Sequence, residues 1–123
     1  MRIICLVGMP GSGKTFWANS FQPNKYVIDD IKNLNQLPDK FENLIISDPY
    51  FCITSIRNKA NEILSKKYEI KVEWIFFEND KEKCKRNVQH RNDGRKVFGL
   101  IDQLSTLYEI PSNINPIKIW IPS

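Results

Sequence analysis

The run Ile3-Ile4-Cys5-Leu6-Val7 followed directly by Gly8-Met9-Pro10-Gly11-Ser12-Gly13-Lys14-Thr15 decides the fold. Five consecutive apolar residues bounded by a glycine-rich turn read as a strand buried on both faces. A helical pattern opens at Lys14 and runs to Phe21, ahead of Pro23. Between them, Gly8, Gly13, Lys14 and Thr15 satisfy GxxxxGK[ST] at every fixed position, with Pro10, Gly11 and Ser12 inside the loop. Each residue type has a physical reason. Glycines let successive N–H groups turn inward around a phosphate, and a helix N-terminus adds its dipole. Lys14 reaches the outer phosphates, and the Thr15 hydroxyl can ligate Mg²⁺. The stretch predicts a site for a nucleoside triphosphate such as ATP, with Mg²⁺.

Working outward, short apolar runs alternate with helical patterns. Tyr26-Val27-Ile28 and Leu44-Ile45-Ile46 read as a second and third strand, each closing on aspartate, and residues 71–77 as a fourth. A helix is expected between Asp48 and Glu69, with Asp48 as cap and Pro49 in its first turn; Ile53, Ile56, Ala60, Ile63 and Leu64 would form its buried face. Further helices are expected over residues 80–90, capped by Asn79 or Asp80, and over residues 97–109, with a turn at Asn92-Asp93-Gly94. Residues 116–121 alternate as a last strand, with Ile117, Ile119 and Ile121 on one face. The alternation predicts an α/β fold in three layers, with a five-stranded, mostly parallel sheet, in a single domain over residues 1–123. Ligands of such sheets sit beyond the carboxyl ends of the strands, where Gly8, Asp29 and Asp48 all fall.

Bulk properties narrow the function classes. A hydrophobic content of 41% with 26% charged residues fits an ordinary globular protein and excludes a low-complexity chain. Cys5, Cys52 and Cys84 form no CxxC pair, and His90 is the one histidine, so neither a disulfide framework nor a zinc site is indicated. A reduced, cytoplasmic compartment is expected. No stretch approaches the roughly 20 apolar residues of a membrane span. The net charge of +4 is concentrated over residues 81–96, where seven lysines and arginines meet two acids. That excess suits a polyanion, although a solvated helix face is the plainer explanation.

Phosphoryl transfer needs a metal-organising carboxylate, a base for the attacking hydroxyl, and a cation against charge on the moving group. Asp48, ending the third strand, can hold Mg²⁺ or its waters, or simply cap the helix before Pro49; the two roles can coexist. Asp29 and Asp30 end the second strand, where a carboxylate could accept a hydroxyl proton or serve only as a turn residue. Arg86, Arg91 and Arg95 are candidates for a lid, although Arg86 and Arg91 can meet only if the helix ends or bends between them. Cys5 reads as core and His90 as a surface or helix-end residue.

In these residues the chain resembles the phage-type polynucleotide 5′-hydroxyl kinases, within the wider group of small P-loop kinases. The segment Met9-Pro10-Gly11-Ser12-Gly13-Lys14-Thr15-Phe16-Trp17-Ala18 is similar to the family's phosphate loop, and Ile28-Asp29-Asp30-Ile31-Lys32 to the segment bearing its general base. Leu44-Ile45-Ile46-Ser47-Asp48, the strand over residues 71–77 and Lys85-Arg86-Asn87 follow in the family's order. The resemblance implies a P-loop NTPase/kinase fold and ATP and Mg²⁺ as cofactors. It gives catalytic roles to Lys14, Asp29, Arg86 and Arg91, metal binding to Thr15 and Asp48, and contact with the acceptor's own phosphate to Lys32. Two departures stand out. The span between Asp30 and Asp48, which the family uses to wall its acceptor tunnel, is short here, and an extra residue separates Asn87 from Arg91.

The expected function is ATP-dependent transfer of the γ-phosphate to a hydroxyl, foremost the 5′-OH of a DNA or RNA end. Two alternatives stay open. One is a kinase of nucleosides, nucleotides or other small metabolites, favoured by the shortened middle; the other is a nucleotide-binding regulator without catalysis. No membrane partner is expected, and the sequence leaves the oligomeric state undetermined.

Overall fold

The computed structural model describes residues 1–31, 36–92, 94 and 96–121. Lys32, Asp93 and Arg95 therefore lie outside the described residues, and with them the expected acceptor contact, the centre of the Asn92-Asp93-Gly94 turn and one of the lid arginines.

Four strands, β1 (Arg2–Val7), β2 (Lys25–Asp29), β3 (Asn43–Ser47) and β4 (Val72–Phe76), form one sheet in the order β2-β3-β1-β4, and every pair is parallel. Helices α1 (Lys14–Ser20), α2 (Thr54–Tyr68), α3 (Lys81–Arg91) and α4 (Phe98–Leu107) cover it. Central strands must be apolar on both faces, and β1 and β3 are. Ile3, Cys5 and Val7 meet Leu64 of α2, Cys84 and Val88 of α3, and Ile101 and Leu104 of α4 in one core. Ile4, Leu6 and Ile45 meet Ala18, Trp17 and Phe21 of α1 and its end in the other. The expected three-layer α/β arrangement with a parallel sheet is thus present. Edge strand β2 exposes Tyr26 and Val27, in keeping with cover on one side only.

The expected fifth strand does not form among the described residues. At Ile117 the chain makes one parallel bridge beside Phe77: the Ile117 amide donates to the Phe76 carbonyl and the Glu78 amide to the Ile117 carbonyl, both at 2.9 Å. Two residues later the Ile119 amide turns to the Glu78 carboxylate (2.9 Å), which also accepts from Lys83 Nζ at 2.7 Å. A side chain has taken the place of the next ladder carbonyl. Pro116, lacking an N–H, could not have begun the ladder earlier. The sheet has four strands, not five.

A second correction concerns the helix expected from Asp48 onward. Asp48 does cap, accepting from the Tyr50 amide at 2.8 Å, but it caps a 3-10 helix, Pro49–Cys52. Ile53 is extended (φ −87°, ψ 119°), and α2 starts only at Thr54. Ile56, expected in the buried face of this helix, is 40% exposed. Asp80, of the two candidate caps, accepts from the Lys83 amide at the start of α3.

Two buried polar side chains tie the carboxyl ends of the strands to the helices. The Tyr108 hydroxyl donates between the carbonyls of Phe77 (2.5 Å) and Val7 (3.2 Å). Arg57 is buried and donates to the Phe51 carbonyl (2.7 Å), the Glu109 carbonyl (3.2 Å) and Thr54 Oγ1 (3.3 Å), with its guanidinium over the Phe76 ring. Satisfying these groups fixes the 3-10 helix against the end of α4, because a buried donor left unpaired is costly. No helix among the described residues is long and apolar enough to cross a membrane.

Candidate functional site

The glycine loop leaves β1 at the carboxyl edge of the sheet and turns back into α1, with the Ser12 amide bonded to the Met9 carbonyl at 3.1 Å. Two of its glycines are required by conformation. Gly13 (φ 103°) and Gly11 (φ 84°) occupy the left-handed half of backbone space, which other residues enter at a penalty. At Gly11 space forbids a side chain as well: a Cβ would lie 2.4 Å from the Cys84 carbonyl oxygen and 3.1 Å from Val88 Cγ2. The loop is therefore seated directly on α3.

Lys14 is buried, and its ammonium donates to the Gly8 carbonyl inside the loop. Burial pushes its pKa below the ordinary lysine value, while Cys52, Asp29, Asp30 and Asp48 pull the other way. Three carboxylates thus stand within electrostatic reach of one ammonium. Asp48 is also buried; that burial raises its pKa, and the nearby Asp30 and Asp29 add to the rise against the opposing pull of the Tyr50 amide and Lys14.

Between Lys14 and the Asp29-Asp30 pair lies a cavity of about 250 Å³. Lys14 and Thr15 from the loop, Asp29 and Asp30 from the end of β2, Pro49, and Arg91 from the last turn of α3 all face it. The parallel register explains the meeting. Asp29 pairs with Ser47, which places both strand ends at one level beside the loop, and the Asp30 amide bonds to the Ser47 carbonyl at 2.7 Å. Asp30 there adopts φ 56°.

Two buried hydroxyls, Ser12 Oγ and Ser47 Oγ, have no hydrogen-bond partner among the described residues. One lies in the loop and the other immediately precedes Asp48. Buried hydroxyls are ordinarily paired, so Ser12, which lines the cavity, is poised there for a ligand oxygen or a water. The donors on the cavity lining, the Ser12 and Thr15 hydroxyls and the Asp29 and Asp30 carboxylates, are all oxygen, as a hard divalent cation requires, while Asp48, one residue past β3, lines a separate cavity of about 510 Å³ along α2. The residues present fit Mg²⁺.

Arg86 is not brought to this cavity. Helix α3 is continuous over Lys81–Arg91, so residues five apart point about 140° away from each other. Cys84 and Val88 pack inward, Arg91 follows on that side, and Arg86 is exposed on the opposite one. The two arginines do not meet.

A second cavity, of about 650 Å³, opens on the other side of the loop and shares Gly11, Ser12, Gly13 and Arg91 with the first. Its walls are apolar and aromatic: Phe16, Trp17, Phe77, Ile117 and Trp120. Phe16 is 78% and Trp120 77% exposed, so two large rings stand in water at its mouth. Asn87 joins the parts, its Nδ2 donating to the Gly11 carbonyl (2.9 Å) and to the Trp120 carbonyl (2.8 Å). Neither the aromatic walls nor this clamp is expected from the sequence. The only local signal is Phe16-Trp17 directly behind the loop, where one of two adjacent aromatics must leave the core.

No family model matches the chain. It is similar to an uncharacterized protein of Acanthamoeba polyphaga mimivirus, 33% identical over an alignment of 121 positions, with 89% of this chain and 87% of that protein covered. The chain belongs to the family of that mimivirus protein.

Proposed function

We propose that the protein is a P-loop phosphotransferase that uses ATP and Mg²⁺ to phosphorylate a hydroxyl. The observation that carries this reading is the convergence of Lys14, Thr15, Asp29 and Arg91 on one cavity beside the glycine loop. Lys14 and the loop amides would hold the β- and γ-phosphates. Thr15 and the cavity's other oxygen donors would hold Mg²⁺, which when bound neutralises phosphate charge. The Asp29 carboxylate faces the cavity and can take the acceptor's proton, and Arg91 offers a planar cation to the charge that develops on the transferred group. The shared edge of the two cavities supports a nucleotide lying across Gly11–Gly13, with its base against the aromatic walls.

The Asn87 clamp makes this reading specific. Replacing Asn87 by alanine frees the Trp120 segment from the loop. ATP affinity is expected to fall by about tenfold, the loss of roughly one to two net hydrogen bonds, and inorganic tripolyphosphate affinity by less, because only the bond to Gly11 bears on the phosphate loop. An equal loss for both ligands would show that the aromatic cavity does not hold the base.

The direct test of the reaction is transfer of label from γ-labelled ATP with Mg²⁺ to hydroxyl acceptors, a 5′-hydroxyl oligonucleotide and a set of nucleosides. Labelled product from either class is the expected result. ATP binding without transfer to any acceptor would leave the non-catalytic regulator as the better account.

A further inference from the structure

Strand β2, Lys25-Tyr26-Val27-Ile28-Asp29, is the outer strand of the sheet, and its free edge is complementary to itself. The Asp30 amide bonds inward to the Ser47 carbonyl of β3. Backbone groups alternate sides along a strand, so residues 26 and 28 also bond toward β3, and the N–H and C=O groups of Lys25, Val27 and Asp29 point outward. Asn24 (φ 65°) and Asp30 (φ 56°) close this edge at both ends with left-handed residues that turn the chain out of the strand.

An open edge invites another strand, and a lysine reaching across it is a common guard. Here the guard is turned away. Lys25 Nζ donates to the carbonyls of Ala18 (2.8 Å), Asn19 (2.8 Å) and Phe21 (3.1 Å) at the end of α1. Beside the edge, Tyr26 is 48% and Val27 40% exposed, one on each face of the strand.

We propose that β2 is the interface of a homodimer, in which two copies pair β2 to β2, antiparallel, about a two-fold axis at Val27. Three features agree on this register. Hydrogen bonding is the first: setting Val27 against Val27 sets Lys25 of one copy against Asp29 of the other, so all three outward-pointing residues of both strands exchange bonds. A slip by two residues in either direction loses one of the three pairs. Charge is the second. Residues directly opposite one another share a face, so the basic start of each strand meets the acidic end of the other, at both ends of the pair. Apolar cover is the third. Val27 lies on the face that carries α1, as its neighbour Ile45 does, and meets its own copy there, while Tyr26 lies opposite Ile28 of the other copy on the other face. The same patch serves both partners, as a two-fold axis requires, and the two sheets run on as one. The pairing is independent of what the glycine loop binds.

The test is the mass of the full chain in solution, by sedimentation velocity over a dilution series. A dimer with a Kd below about 100 µM is expected, in keeping with a small interface. Val27→Lys and Val27→Glu, at a position the fold already exposes, place like charges across the axis and should each raise that Kd by about fivefold or more with the circular dichroism of wild type. Mixed in equal amounts, the two variants should form a heterodimer tighter than either homodimer by a similar factor, because position 27 then carries opposite charges. That rescue depends on position 27 facing itself, which a merely structural role for Val27 would not produce. Wild type that stays monomeric at every concentration, leaving the edge to a strand of another protein or to none, would overturn the proposal. So would a dimer that neither variant weakens, or a mixture no tighter than the variants alone.

Discussion

Replacing Asp29 by asparagine is expected to lower phosphoryl transfer by about 10²–10⁴-fold, the usual contribution of a positioned base, while ATP affinity stays within about twofold of wild type. Asp29 ends β2 level with Ser47, faces the same cavity as Lys14 and Arg91, and is exposed, so the amide can take its place without disturbing the core. Asparagine keeps the shape and loses the capacity to take a proton. Single-turnover rates, measured beside ATP titrations, separate the two effects. A variant that transfers phosphate at the wild-type rate would remove Asp29 from the chemistry and leave Asp30 or Asp48 as the carboxylate to test.

Replacing Gly11 by alanine is expected to destabilise the fold by about 3–5 kcal/mol, adding the strain of a left-handed non-glycine residue to that of overpacking. The new Cβ would meet the backbone oxygen of Cys84 rather than the movable end of a side chain, so α3 itself has to shift. That shift carries Arg91 and Asn87 away from the loop, and nucleotide affinity should fall with stability. Gly99 is the control. It lies in the first turn of α4 with nothing within 4 Å of a Cβ built there, and Gly99→Ala should stabilise by about 0.5–1 kcal/mol through helix propensity alone. Urea unfolding of both variants checks the contrast, and equal midpoints would contradict it.

The glycine loop, its flanking strand and helix, and the parallel sheet were legible because local pattern determines them. An apolar run with no alternation demands burial on both faces, and GxxxxGK[ST] names its own backbone geometry. Strand β2, ending in Asp29, puts that acid at the loop's edge for the same reason, whereas Asp48 lies one residue past the end of β3 and lines a separate cavity. What was not legible depends on contacts between segments distant in the chain. Residues 116–121 alternate like a strand, yet the Glu78 carboxylate captures the Ile119 amide and ends the ladder after one bridge. Of the face expected to be core, Leu64 is buried and Ile53 and Ala60 pack against the core, but Ile56 is 40% exposed and lines, with Ile63, a cavity along α2. Sequence separation alone cannot say whether an arginine five residues before another shares its side of a helix; the unbroken α3 settles that for Arg86 and Arg91. The Asn87 clamp joins residues 76 and 33 positions apart and leaves no trace in local composition.

The site is held at the expense of stability. Burial lowers the Lys14 pKa, so the folded state holds that proton less tightly than the unfolded chain does. The resulting penalty is full below the lowered value and is relieved as pH rises from there to the ordinary 10.5. Asp48 has the opposite sign: its raised pKa gives a penalty that is full above the raised value and is relieved as pH falls toward 3.8. Lys14→Met, which removes the buried charge and keeps the length of the side chain, should therefore fold at least as stably as wild type, and any lost binding cannot be blamed on unfolding. The measurement that tests the central claim most directly is calorimetric titration of this pair with Mg²⁺ and ATP. Wild type should show saturable uptake of one nucleotide per chain, with Lys14→Met weaker by about 100-fold or more, the loss of charge-assisted bonds to phosphate. No uptake by the folded wild-type protein, or equal affinity in the two, would contradict it.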